Sequence, residues 1–177
     1  MPEHPGFVLR RIKGRSLVRL RVRPYNADAA REALQLPRPL VWKDGDPATF
    51  CLGPDQWLLA SDRQSAEQIV SRIDSQLAGR LYAAIDVSSC YTGFALSGPA
   101  ARMLLAMGCG IDMRPGAFAP YQCVSTQFAR IQLVIVAVGD NHFDLYLDRS
   151  LASYLEGWIE KAGEDPITHN LENGELI

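Results

Sequence analysis

Two aspartates, Asp86 and Asp112, are the carboxylates best placed to do chemistry in this sequence. Asp86 lies in a predicted strand, and Asp112 follows a predicted helix that begins at Gly98 and Pro99. A buried aspartate at a strand end can act as a general base or bind a pterin ring. Such an aspartate more often caps a turn or a helix by accepting backbone N–H bonds. The residue types alone leave both interpretations open.

A possible nucleophile, Cys90, opens the sequence Cys-Tyr-Thr-Gly at residues 90–93. This segment is similar to the Lys-Gly-Cys-Tyr-x-Gly-Gln-Glu motif of a folate-binding family of repair proteins. Here Ser-Ser at 88–89 replaces Lys-Gly, and Phe-Ala at 94–95 replaces Gln-Glu. Cys90 also has no neighbouring base or cation in the sequence to lower the pKa of its thiol. We therefore interpret the similarity as coincidental.

Metal and nucleotide motifs are not evident. The chain contains four cysteines and three histidines, which are scattered and form no CxxC pair: Cys51, Cys90, Cys109, Cys123, His4, His142 and His169. This spacing does not predict a zinc site within the chain. The glycines at 108 and 110 lack dinucleotide-binding spacing and indicate a helix end. We expect a cytoplasmic protein with reduced thiols.

Three arginines form a basic stripe on one predicted strand. Residues 16–23 alternate strictly, so that Arg19, Arg21 and Arg23 share the face opposite the apolar residues. This face is either solvated or a docking surface for an acidic partner. A nucleic-acid site would need interleaved aromatic residues, which the strand lacks. Trp42, in the loop at 38–47, is the other candidate for a partner interface, with burial in the core as the alternative.

Charge is unevenly distributed, although the net charge of −2 gives no overall attraction to nucleic acid or to anionic membranes. Residues 1–23 hold seven basic residues against one acid, and residues 156–177 hold six acids against one lysine. No apolar run approaches the roughly 20 residues of a membrane-spanning helix. We therefore expect no membrane contact, and we read residues 163–177 as an acidic tail.

The periodicity predicts alternating strands and helices. The Ser65–Gln68 pair has the spacing of a capping box that opens a helix. Beside the strand at 16–23, the patterns predict helices at 27–35, from 65, from 99 to 108 and at 150–162, and strands at 49–52, 57–60, 81–88, 91–97, 123–129, 131–138 and 142–147.

An internal repeat relates the two halves of the chain. Residues 53–73 match residues 139–159 without a gap when the sequence is shifted by 86 residues, and Asp62-Arg63 then meets Asp148-Arg149. We expect each Asp to cap the following helix and each Arg to reach a partner carboxylate. The sequence predicts an α+β fold of two pseudo-duplicated β-α-β-β-α halves. We expect one domain over 1–162, with lobes at about 16–80 and 81–162.

Three blocks of the sequence resemble the gamma subunit family of heterotetrameric sarcosine oxidase. They are LGPDQWLL at 52–59, DVSSCYTGFALSGPAARMLLAMGCGID at 86–112 and LYLDRS at 145–150, and they occur in the family's order. The resemblance covers about residues 17 to 162. It implies a smaller relative of the aminomethyltransferase folate-domain fold.

The resemblance also implies a function. A gamma subunit is a non-catalytic structural partner of alpha, beta and delta subunits, in a complex that oxidatively demethylates sarcosine or a similar N-methyl amino acid. The other subunits are expected to hold FAD, FMN, NAD, tetrahydrofolate and zinc. No catalytic, cofactor-binding or metal residue is expected in this chain.

The alternative function is an independent folate-binding protein for one-carbon transfer or repair. It requires a buried carboxylate for the pterin and basic residues for the glutamate tail of the folate. Asp86 or Asp112, with Arg102 or Arg114, are the candidates, although no motif selects them.

Overall fold

The computed structural model describes residues 6–164, which form two five-stranded antiparallel sheets and four α-helices. The strands are β1 (Val8–Ile12), β2 (Ser16–Val22), β3 (Trp42–Lys43), β4 (Ala48–Gly53), β5 (Gln56–Ser61), β6 (Tyr82–Asp86), β7 (Tyr91–Ser97), β8 (Cys123–Phe128), β9 (Ile131–Gly139) and β10 (His142–Asp148). The helices are α1 (Ala27–Leu34), α2 (Ala66–Gln76), α3 (Ala101–Gly108) and α4 (Ala152–Gly163).

The first sheet has the strand order β3-β4-β5-β2-β6 and packs one face against α1 and α2. Its alternating strand β2 turns Val18, Leu20 and Val22 toward these helices. The predicted capping box is confirmed, since Ser65 accepts from the N–H of Gln68 and the Gln68 side chain accepts from the N–H of Ser65. Asn26 precedes α1 in a 3₁₀ turn and makes no side-chain cap to the helix.

The second sheet has the order β1-β7-β10-β9-β8 and packs one face against α3 and α4. Phe94 and Leu96 of β7 face these helices, and so does the fully buried Leu145 of β10. The apolar run of β9 is explained by its position, because both of its faces are covered. One face meets the helices, and the other meets the first sheet.

A third core joins the two sheets without any helix. Its largest side chains are Trp42, Phe50 and Tyr146, which pack with smaller residues of β2, β5, β8 and β9. The ring centroids of Phe50 and Tyr146 lie 5.3 Å apart across the two sheets. The molecule therefore has helices outside and sheets inside, and the two lobes share a continuous interior.

The two sheets repeat one topology. Helices α1 and α3 begin 74 residues apart, whereas β5 and β10, like α2 and α4, begin 86 residues apart. Most of the longer spacing comes from extra residues between α3 and β8. The α+β class and the related halves are confirmed, and each sheet contains five strands, two more than the three of the predicted β-α-β-β-α unit.

The edge strands are exchanged between the halves. Strand β6 lies within the part of the chain expected to form the second lobe, yet it pairs with β2 of the first sheet. Strand β1, which the periodicity did not predict, pairs with β7 of the second sheet. A lobe boundary near residue 81 therefore does not separate the two sheets. Of the acidic tail expected at 163–177, residues 165–177 lie outside the described part of the chain.

Candidate functional site

The two aspartates considered as a general base or a pterin ligand, Asp86 and Asp112, form hydrogen bonds with residues close to them in sequence. Asp86 accepts from the N–H and the Oγ of Ser88, at 2.9 and 2.6 Å, which fixes the turn between β6 and β7. Asp112 accepts from the backbone N–H of Arg114 and pairs with its guanidinium. This pairing lowers the pKa of Asp112 to about 2. Both aspartates are exposed, so they take the turn-capping role rather than that of a buried base.

Arg102 binds carbonyls instead of a carboxylate. Its Nη1 donates to the carbonyl oxygens of Met113 and Phe118, at 2.7 and 2.8 Å, and its Nε donates to that of Asp140. The guanidinium carbon lies 5.2 Å from the centroid of the Phe143 ring. Burial lowers the pKa of Arg102. Arg102 therefore anchors the segment between α3 and β8, which contains Asp112 and Arg114, through backbone carbonyls and not through either proposed aspartate.

The four thiols differ in their burial. All four cysteines are unpaired. Cys123 donates to the carbonyl oxygens of Val41 and Cys51, both at 3.3 Å, and burial raises its pKa to about 12. Burial also raises the pKa of Cys51 and of Cys109. Cys90 is exposed on the turn before β7. Within residues 6–164, no group of three or more His, Cys, Asp or Glu side chains is arranged to hold a metal ion.

Arg15 makes more side-chain hydrogen bonds than any other cation in the described residues, and no sequence motif marks it. It lies between β1 and β2 and forms a bidentate pair with Asp62, with two N–O distances of 2.9 Å. Its Nη1 donates to Asp144 at 2.9 Å and to the Tyr146 hydroxyl at 2.5 Å. Asp62 follows β5 of the first sheet, whereas the other two residues lie in the second sheet. Arg15 therefore ties the lobes together.

The Arg15 cluster changes the ionisation of its members. The hydrogen bond from Arg15 lowers the pKa of Asp62. The hydrogen bond with Asp62 likewise raises the pKa of Arg15. Burial raises the pKa of Tyr146. A cavity of about 190 Å³ lies beside this cluster. Arg11 is one of the basic residues that line the cavity, and it pairs with Glu156.

The two Asp-Arg pairs of the internal repeat, at 62–63 and 148–149, make different contacts. Asp148 caps the 3₁₀ turn that precedes α4 by accepting from the N–H of Ser150, as expected. Asp62 bonds Arg15 instead, and Ser65 caps α2. Arg63 reaches the carboxylate of Asp46, as expected, whereas Arg149 donates to backbone carbonyls.

The arginine stripe lies on an exposed part of the first sheet. Arg19 pairs in register with Ile85 of β6, and Arg21 pairs with Ala83, so these side chains share one face. Arg19 donates to Gln56 at 3.0 Å, and the Arg21 side chain remains 67% exposed although its Nε lies 3.6 Å from Asp55. We call Arg19, Arg21 and Arg23 the basic face. A groove of about 560 Å³ runs beside it.

Trp42 is a core residue. It is 8% exposed, its Nε1 donates to the carbonyl oxygen of Ala137 at 2.9 Å, and its ring stacks on Tyr121. We therefore reassign Trp42 from the candidate partner surface to the core between the sheets.

The apolar residues beside the basic face were not selected from the sequence. The sequence feature that could have identified them is an apolar residue at every second position, Leu81, Ala83 and Ile85, in and just before the edge strand β6.

No helix within residues 6–164 has the length and apolar character needed to cross a bilayer.

The sequence relatives point to one family. The gamma subunit of sarcosine oxidase from Corynebacterium sp. strain U-96 is 25% identical over 138 residues, which cover 76% of this chain and 66% of the relative. The gamma subunit from Arthrobacter sp. is 29% identical over 142 residues, which cover 76% of this chain and 69% of the relative. The match therefore spans about two thirds of each relative.

Solved structures share the fold. A chain of the heterotetrameric sarcosine oxidase from Corynebacterium sp. U-96, solved in complex with pyrrole 2-carboxylate, matches 92% of this chain and 86% of its own length, with a TM-score of 0.77 and 21% identity. The aminomethyltransferase T of the glycine cleavage system from Bartonella henselae matches 87% of this chain and 45% of its own length, with a TM-score of 0.61 and 15% identity. The expected aminomethyltransferase-like fold is confirmed.

A family model also matches the chain. The model described as "Sarcosine oxidase, gamma subunit family" matches residues 22–165, which is most of the chain. This range contains all three sequence blocks that carried the resemblance, so the expectation drawn from them is confirmed. The chain belongs to the sarcosine oxidase gamma subunit family.

Proposed function

We propose that this chain is a non-catalytic structural subunit of a heterotetrameric complex that oxidatively demethylates sarcosine or a similar N-methyl amino acid. The observation that carries the proposal is the family match over residues 22–165. It is supported by the relatives named as sarcosine oxidase gamma subunits and by the fold shared with a chain of a heterotetrameric sarcosine oxidase.

The use of charged side chains supports a structural role. Arg15 joins the two lobes through Asp62 and Asp144, and Arg102 holds three backbone carbonyls. These bonds stabilise the fold and leave the two guanidiniums turned toward protein groups. The rigid interior shared by the two sheets suits a subunit that supports a larger neighbour.

The partners and cofactors are part of the proposal. We infer that the chain assembles with alpha, beta and delta subunits, and that FAD, FMN, NAD, tetrahydrofolate and zinc reside in those subunits. The basic face of Arg19, Arg21 and Arg23 contributes to the contact with an acidic partner surface. The cytoplasmic location belongs to the same proposal and is supported by four unpaired cysteines.

Omission of this chain tests the proposed function. The four subunits are co-expressed with and without it, and the products are compared by size-exclusion chromatography and by sarcosine-dependent oxygen consumption. We expect loss of the complete complex and of most turnover without the chain, with turnover restored when the chain is supplied separately. Assembly and full turnover without it would rule out the proposal.

The folate-binding alternative gains no support from the four residues proposed for it. Asp86 bonds Ser88, Asp112 bonds Arg114, and Arg102 bonds backbone carbonyls. Calorimetry of the isolated chain with tetrahydrofolate distinguishes the two functions. Tight one-to-one binding would favour the alternative, and an absence of heat at tens of micromolar chain agrees with the structural role.

A further inference from the structure

We propose that strand β6 is a docking edge, to which an extended acidic segment of a partner subunit adds as a sixth strand of the first sheet. This inference rests on the proposed function, because it requires a partner. It goes further by naming the edge, the backbone groups and the chemistry of the segment. Strand addition to an open sheet edge is a common mode of recognition.

The backbone of β6 presents its alternate residues to the open edge. The N–H of Arg23 donates to the carbonyl of Leu81, and the N–H of Val87 donates to the carbonyl of Leu17. In the register of β2 and β6, hydrogen-bonded pairs alternate along the strands. The odd-numbered residues from 81 to 87 are therefore the ones that form backbone hydrogen bonds with β2. Tyr82, Ala84 and Asp86 therefore direct their N–H and C=O groups away from β2, where the sheet ends.

The side chains along this edge form an apolar row. Leu81 is 60% exposed and Ile85 is 56% exposed, and Ala83 between them is also exposed. An exposed edge strand of this kind is a template for pairing unless charge or proline protects it. The sequence of β6, YAAID, has no charge before its last residue. The edge is therefore suited to receive a strand.

The matching edge of the second sheet is protected. Strand β1 occupies the position equivalent to β6, and its sequence VLRRI places Arg10 and Arg11 in the middle of the strand. Both arginines are exposed. Since the two sheets repeat one topology, the contrast singles out β6 as the edge that is left attractive to another strand.

Charge and size specify the incoming segment. An added strand lies about 5 Å from β6 and about 10 Å from β2. Arg21 is paired with Ala83, whose small side chain leaves room for a long carboxylate to reach over β6 to the guanidinium. The apolar residues of the segment would cover Leu81 and Ile85. We thus expect apolar residues to alternate with glutamate or aspartate on one face of the segment.

Complementary charge favours an acidic partner over a second copy of the chain. Pairing two β6 edges would place two basic faces on the same assembled sheet, with no new acid opposite either one. An acidic segment instead places carboxylates beside the exposed Arg23 and beside Arg21, which keeps a 67% exposed side chain although it pairs with Asp55, and it adds attraction at long range. The occupant we infer is therefore an acidic, partly apolar strand of a partner subunit.

Amide exchange of the full chain, alone and within the co-purified complex, tests this geometry at single-residue resolution. We expect the amides of Tyr82, Ala84 and Asp86 to exchange at least about tenfold more slowly in the complex. The amides of Ala83 and Ile85 already bond β2 and should change much less. This alternation distinguishes an added strand from general shielding, which would slow both sets.

Two variants with matched controls test the contact independently. Arg21→Glu and Ile85→Lys should each weaken assembly about tenfold or more, through charge reversal and through a buried ammonium. Arg72→Glu on α2 and Met107→Lys on α3 make the same changes at exposed positions away from the edge, and they should assemble normally. Thermal unfolding of each isolated variant confirms that it folds.

Each outcome decides the matter. Alternate protection with loss of assembly in both edge variants supports the inference. A complex that forms with unchanged amides at 82, 84 and 86 overturns it but keeps the proposed function. Protection that appears in the isolated chain as its concentration rises identifies a second copy and overturns the acidic partner. If no complex contains the chain, the proposed function fails as well.

Discussion

Nη1 of Arg15 lies 2.9 Å from Oδ2 of Asp144, so a residue between the first two strands is bonded to a strand of the other sheet. The same guanidinium pairs with Asp62 at the end of β5. Asp144 is 15% exposed, and it loses its cation if Arg15 is replaced. Without Arg15, the mostly buried carboxylate of Asp144 would have no compensating cation. The contact between the lobes therefore depends on Arg15.

Replacement of Arg15 should destabilise the chain strongly. We expect Arg15→Gln to lower the free energy of unfolding by about 3 kcal/mol, because a partly buried carboxylate remains without its partner. Urea unfolding followed by tryptophan fluorescence measures the loss. Arg72→Gln, at an exposed site on α2, should change the free energy by less than about 0.5 kcal/mol. Equal losses in the two variants would contradict the role assigned to Arg15.

Asp62 should make stability depend on acid pH. Its pKa is lowered in the folded state by the hydrogen bond from Arg15, whereas in the unfolded chain it is close to 4. Its contribution is therefore complete above the unfolded pKa and is lost as the pH falls through the folded pKa. The difference in unfolding free energy between wild type and Asp62→Asn should shrink as the pH falls below the unfolded pKa of about 4. A difference that is constant with pH would argue against this coupling.

The four thiols should react in a defined order. Cys90 is exposed, whereas Cys51 and Cys123 are buried and have raised pKa values. We expect an aromatic disulfide reagent to modify Cys90 rapidly in the folded chain, Cys109 more slowly, and the buried pair only after unfolding. Cys90→Ser should remove the rapid phase of absorbance. Persistence of that phase in the variant would show that one of the other three thiols reacts rapidly and would contradict this order.

Gly108 should be required by the packing of Phe128. A Cβ at this position would overlap the ring of Phe128, which is fully buried and contacts Trp158 edge to face. We expect Gly108→Ala to cost about 1–3 kcal/mol of unfolding free energy. Gly110→Ala has no heavy atom within 4 Å of the new Cβ and serves as the matched control. Similar melting temperatures for the two variants would refute the proposed overlap.

The local elements and the repeat were predictable from the sequence. The alternation at 16–23 gives strand β2, and the Ser65–Gln68 spacing gives the capped helix α2. The shift of 86 residues places β5 on β10 and α2 on α4. These features are local, or they repeat along the chain, so periodicity and capping rules reveal them.

The pairings between distant segments were not predictable in this way. No local pattern indicates that β6 joins the first sheet and β1 the second, because such pairing depends on contacts far apart in sequence. The loop containing Trp42 gives no sign that its indole fills the space between the sheets. The Arg15 cluster likewise joins residues separated by 47 and 129 positions.

Native mass spectrometry of the complex captured through a tag on this chain tests the central claim most directly. We predict an assembly of four different subunits with one copy of this 19.6 kDa chain, from which the chain dissociates without bound flavin, folate or metal. Recovery of the chain alone, or release of the chain with a cofactor attached, would contradict its role as a non-catalytic structural subunit.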